Sequence, residues 1–175
     1  MLALEELGNK ICIIGCSSSG KSTLGDVLSK KLSIPVTHLD LIAHDHNTNW
    51  QRKSDSELIK LHNQVLEEDC WIIEGNYSVC MKERFSMATA IIWLDFNVVT
   101  SVVRYIKRCV SGDKNRVGKL PGSQNEFSFW LVKHILFSYP RNRLKYQNVL
   151  DCIQVPIIKI SSIRDLEEVK RLWRL

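Results

Sequence analysis

Long apolar runs are missing from this chain. One of the most apolar, Ala90-Ile91-Ile92-Trp93-Leu94, has five residues, where a membrane-spanning helix takes roughly 20. That excludes a membrane helix. No Cys-x-x-Cys pair occurs among Cys12, Cys16, Cys70, Cys80, Cys109 and Cys152, and no His-x-x-x-His accompanies them. A zinc site therefore has little to build on, and the cysteines read as reduced thiols, several of them in the core. Glu5 and Glu6 stand where a secretory leader would be basic and then apolar, so the expectation is a cytoplasmic protein. Repeats, low-complexity tracts and linker-like shifts of composition are absent as well. The 45% apolar and 25% charged residues argue against a disordered chain, a fibre or a disulfide scaffold. At 175 residues the chain suits one domain and can bury a sizeable core.

Acidic residues are scarce in one stretch. Residues 101–150 hold ten Lys and Arg against Asp113 and Glu126 alone, a local charge of +8 that leaves −3 for the rest. Such an excess suggests an anionic partner: phosphate, nucleotide or nucleic acid. A solvated basic surface is the plainer alternative.

Short β-branched runs alternate with helical patterns. Strands are expected at Lys10–Gly15, Pro35–Leu39, Cys70–Ile73, Ala90–Asp95 and Val155–Ile160. Helices are expected over Ser22–Leu32, after Ser54 and after Ser162. The last two open on capping-box spacings, Ser54/Glu57 and Ser162/Asp165. Val99, Val102, Val103, Ile106 and Val110 form an apolar stripe expected to face the core, with Arg104 and Arg108 opposite. Residues 111–125, rich in Gly, Ser, Asn and Pro, read as a mobile lid loop. An aromatic helix, Glu126–Ser138, is expected to end before Tyr139-Pro140. Five apolar strands separated by helices imply an α/β fold, a parallel sheet with helices on both faces. Ligands of such sheets bind beyond the carboxyl ends of the strands.

Gly15-Cys16-Ser17-Ser18-Ser19-Gly20-Lys21-Ser22 matches G-x-x-x-x-G-K-[S/T], and it stands between an apolar strand and an amphipathic helix, the context that pattern requires. Gly15 and Gly20 let the loop curl so that the N–H groups of residues 15 to 23, Thr23 included, point at phosphate oxygens. Lys21 supplies a point charge for the β- and γ-phosphates, and the Ser22 hydroxyl is a ligand for Mg²⁺. Cys16 is read as a spacer rather than a nucleophile. Two carboxylates, Asp40 and Glu74, follow the second and third strands. Phosphoryl transfer needs one carboxylate near the metal and one on the acceptor hydroxyl; Glu74 suits the first role and Asp40 the second. A helix cap is the alternative for Asp40, and a structural carboxylate for Glu74. Asp95 is ranked below both. Asp40, His44 and His46 make a weak metal cluster. Arg104, Arg108, Arg116, Arg141 and Arg143 are candidates for phosphate capture.

Taken in order, GCSSSGKSTL at 15–24, His38-Leu39-Asp40, WIIEGNY at 71–77 and AIIWLD at 90–95 resemble the adenylate-kinase-related phosphate-loop proteins, often labelled DNA topology modulation or AAA-type ATPases. The resemblance implies a three-layer nucleotide-kinase fold with strand order 2-3-1-4-5 and binding of ATP with Mg²⁺. It implies a metal-holding role for Glu74, and lid roles for Arg104, Arg108 and Arg116. Three residues depart from the pattern: Ser18 stands where similar proteins have glycine, Glu74 where they have aspartate, and His44 where they have an aromatic. The function expected is a small kinase acting on a nucleoside, a nucleotide or another small hydroxyl compound. The alternative is a nucleotide-dependent DNA-binding or regulatory ATPase.

Overall fold

The computed structural model describes residues 2–48, 50–111, 117, 118, 120 and 127–175. Its centre is a five-stranded, all-parallel sheet ordered β2-β3-β1-β4-β5, as expected. The strands are β1 (Lys10–Gly15), β2 (Val36–His38), β3 (Trp71–Glu74), β4 (Ala90–Leu94) and β5 (Ile157–Ile160). The helices are α1 (Lys21–Leu32), α2 (Leu39–Ile42), α3 (Asp55–Leu66), α4 (Met81–Met87), α5 (Val98–Ser111), α6 (Phe129–Lys133), α7 (Tyr139–Leu150) and α8 (Ile163–Trp173).

Strands buried on both faces carry near-continuous apolar runs, and their period of two divides each run between two cores. Ile11 and Ile13 of β1 face one core with Leu24 and Leu28 of α1 and Trp173 of α8. Cys12 and Ile14 face the other with Phe85 of α4, Tyr105 of α5 and Tyr146 of α7. Fully burying one such aliphatic side chain contributes about 1.5–3 kcal/mol. Both predicted capping boxes form. Glu57 N donates to Ser54 Oγ and Ser54 N to Glu57 Oε2, and Asp165 N donates to Ser162 Oγ as Ser162 N does to Asp165 Oδ2.

Two expectations are corrected. In α5 the buried residues are Ser101 and Tyr105, while Val99, Val103, Ile106 and Val110 are exposed at 44–82%. The apolar sector of this helix is wider than the strip the sheet covers, so most of the stripe points outward. The aromatic helix does not end at Tyr139-Pro140. It starts at Phe129, passes through a π-helical turn at His134–Ser138 and continues as α7, with Pro140 in the first turn. Pro is tolerated there because the π turn already breaks the regular ladder that its missing N–H would interrupt. Most of the 111–125 lid expectation lies outside the described residues, as does Arg116. Ser111 itself ends α5.

The sheet register sets where the polar residues at the strand ends lie. Glu74 is paired with Ile13 on one side and His38 on the other, and Gly15 is paired with Leu94. The ends of β1, β2, β3 and β4 thus share one edge, and the chemistry-bearing residues continue directly from it.

Candidate functional site

Gly15 ends β1 at φ +147, and a Cβ there would lie 2.4 Å from the Leu94 carbonyl oxygen, so only glycine fits. The loop then runs to Gly20, the N-cap residue of α1. Cys16 is fully buried in the second core, and burial pushes its thiol up. Only its backbone faces the loop, in line with a spacer. Ser17 and Ser18 are half-buried, Ser19 is buried and Thr23 is exposed. The hydroxyls of Ser18 and Ser19 are buried with no hydrogen-bond partner. Buried polar atoms are normally satisfied; these two are exceptions among the described residues. Lys21 Nζ donates to the Cys16 carbonyl at 2.9 Å, which holds its charge at the mouth of the loop.

Ser22 and Glu74 meet. Ser22 Oγ donates to Glu74 Oε1 at 2.9 Å, and His38 Nδ1 lies 2.9 Å from the same oxygen. Glu74 is 2% exposed. Burial alone would raise its carboxyl, but the hydrogen bonds from His38 and Ser22 and the charge of Lys21 outweigh it and hold it below the ordinary range. The residues present therefore offer one serine oxygen and one carboxylate beside the Gly15–Gly20 loop. That donor set fits Mg²⁺, which takes one or two protein oxygens and completes its shell with water and phosphate.

Arg104 reaches the loop from α5. Its Nε donates to the Ser18 carbonyl at 3.0 Å, and its guanidinium lies 5.6 Å from the Phe96 ring centre. Arg108, one turn on, lies over Tyr105 at 5.0 Å. Arg143 and Asp95, both candidates from the sequence, pair with each other. Arg143 grips both Asp95 oxygens at 2.7 Å, and Lys159 adds a contact at 3.1 Å. Arg141 is exposed on α7.

Asp40 sits in the first turn of α2, whose N-cap is His38, so it is not the cap. It is exposed and accepts from Tyr77 Oη at 2.8 Å; burial pushes the Tyr77 hydroxyl up, which keeps it a donor. His44 Nδ1 lies 2.9 Å from the Asp40 carbonyl, and the His44 ring meets Trp50 and Tyr77 edge-on. Asp40, His44 and His46 are not gathered: among the described residues no group of three or more His, Cys, Asp and Glu is placed to hold a metal ion.

Three residues escape sequence reasoning. Asn76 clamps the start of the loop: its Oδ1 accepts from Gly15 N at 3.1 Å and its Nδ2 donates to Gly15 O at 2.6 Å. Arg84 is wholly buried on α4. Gly118, at φ +71, packs so closely that a Cβ there would lie 2.8 Å from Ser22 Oγ and 3.6 Å from His38 Nδ1. Asn76 lies inside the Glu-Gly-Asn-Tyr run; the other two carry no local signal. No family model matches the chain, and no curated protein matches it.

Proposed function

We propose that this chain is a small ATP-dependent phosphotransferase. The observation that carries the reading is the Ser22–Glu74 bond at the glycine-bounded loop, onto which Lys21 folds back. Loop N–H groups and Lys21 bind the β- and γ-phosphates. Ser22 and Glu74 are the residues that would hold Mg²⁺, which when bound neutralises charge on the phosphate oxygens. Glu74 is fit for this because it stays ionised in a buried place. Asp40 stands on the exposed side of Tyr77, where a carboxylate orients an acceptor hydroxyl or takes its proton. Tyr77 holds that carboxylate in one orientation. Arg104, already against the loop, stabilises charge that shifts during transfer. The acceptor is a small hydroxyl compound, a nucleoside or nucleotide among the candidates.

The test is calorimetric titration with ATP and Mg²⁺, followed by a screen of hydroxyl acceptors with γ-labelled ATP. Binding that needs Mg²⁺ and label transfer to an acceptor are expected. Absence of ATP binding, or transfer to nothing in a broad screen, sinks the reading.

A further inference from the structure

Arg84 is a buried cation. Its side chain is 0% exposed, and among the described residues no carboxylate pairs with it. Its Nη2 donates to Gly75 O at 2.9 Å, and its Nη1 donates to Tyr77 O at 3.1 Å and contacts Cys80 Sγ at 3.3 Å, while Nε has no partner among the described residues. Placing a guanidinium in a core of apolar side chains is costly, and backbone carbonyls compensate it only in part. If stability were all that mattered at this position, a methionine of similar length would serve better.

The carbonyls it grips belong to one turn, and that turn carries the site. Glu74 precedes it and accepts from Ser22. Asn76 is bonded twice to Gly15, and Tyr77 is bonded to Asp40. A planar fork spanning Gly75 O and Tyr77 O fixes the backbone on both sides of Asn76, which a flexible ammonium cannot do. We infer that Arg84 is a positioning residue of the transfer site: its buried guanidinium sets the Gly75–Tyr77 turn, through which Asn76 holds the phosphate loop and Tyr77 holds Asp40. This inference rests on the phosphotransferase reading. Arg84 touches no reacting atom and acts through other residues.

The test uses the whole chain, with a fluorescent ATP analogue and Mg²⁺ as the probe. Arg84→Met, Arg84→Lys, Asn76→Ala and the Arg84→Met/Asn76→Ala double variant are compared for ligand-free melting and for affinity. Arg84→Met is expected to melt within about 3 °C of the unaltered chain, a change of about 1 kcal/mol, yet to bind the probe at least tenfold more weakly. Arg84→Lys, which keeps the charge and loses the fork, is expected to lose affinity in the same direction. The double variant is expected to be at most about threefold worse than the weaker single variant, because coupled residues do not add. Unchanged affinity in Arg84→Lys beside a lowered melting temperature in Arg84→Met assigns Arg84 to stability alone and overturns the inference. So do losses that multiply in the double variant. Should Arg84→Met fail to fold, Arg84→Lys decides by itself: tenfold weaker binding supports the role, and unaltered binding removes it. No probe binding by the unaltered chain would instead overturn the phosphotransferase reading, and this inference with it.

Discussion

Ser18 holds a left-handed backbone at φ 63 and buries a hydroxyl with no hydrogen-bond partner among the described residues. Both are unfavourable for a serine: the conformation costs a non-glycine residue about 1–2 kcal/mol, and an unsatisfied buried hydroxyl adds about as much. Ser18→Gly removes both and returns part of the gain as chain entropy. We expect it to raise unfolding free energy by about 1 kcal/mol in denaturant titration, while the Arg104 bond to the residue-18 carbonyl survives. A loss of stability would show that the hydroxyl has a partner in the free protein. Lys21→Ala tests the same loop from its charged side. Removing a hydrogen bond made by a charged group costs about 1.5–3 kcal/mol, so ATP affinity should fall by roughly ten- to a hundredfold with melting hardly changed. Unaltered affinity would mean that Lys21 does not face the nucleotide. Asp40→Asn keeps an acceptor for Tyr77 but removes the charge. It should leave ATP affinity nearly unaltered and lower transfer about 10²-fold or more, the usual contribution of a general base. The opposite pattern would exchange the roles given to Asp40 and Glu74.

The strand ends place Glu74, and its neighbours decide what it does. Ser22 comes from α1 and His38 from β2, and both converge on one carboxylate oxygen of Glu74, which comes from β3. Glu74→Gln keeps the shape and removes the charge, so the Mg²⁺ concentration for half-maximal ATP binding should rise by about tenfold or more. An unchanged metal requirement would leave Glu74 as a structural carboxylate. Much at this scale was legible in the sequence. The five strands declared themselves as short apolar runs, and their register brought Gly15, His38, Glu74 and Leu94 to one edge. Both capping boxes were readable because the signal lies within four residues. What escaped was decided by tertiary packing. Val99 and Val103 lie on the same apolar sector as partly buried Val98 and Val102, and period alone does not say which edge of a wide sector meets the sheet. Arg143 and Asp95 are 48 residues apart, so their pairing was invisible until β4 and α7 were placed. Nothing in the sequence around Arg84 announces a buried cation.

Across the whole molecule the basic segment 101–150 has two competing uses. A duplex-binding face needs many cations free to meet phosphates, each contact adding about −0.9 to the log–log salt slope. Here Arg104 is turned onto the loop and Arg143 is held by Asp95, which takes two of the ten from any such face. Site arginines instead act on a few phosphates, and most strongly where charge is redistributed during transfer. Replacing Arg104 and Arg108 together with alanine should therefore lower phosphoryl transfer by about 10²-fold or more while ground-state ATP binding changes by less than about tenfold. Arg104, hydrogen-bonded to the loop at the Ser18 carbonyl, should account for a large part of the loss. DNA affinity should stay in the non-specific range, roughly 10⁻⁴ to 10⁻⁶ M at physiological salt, and fall further as salt is raised. Single-turnover transfer beside a salt titration of DNA binding separates the outcomes. Tight DNA binding at physiological salt that the double variant destroys would give the basic segment to a nucleic-acid partner. A double variant whose ATP binding and transfer fall equally would make these arginines binding groups with no special hold on the transition state.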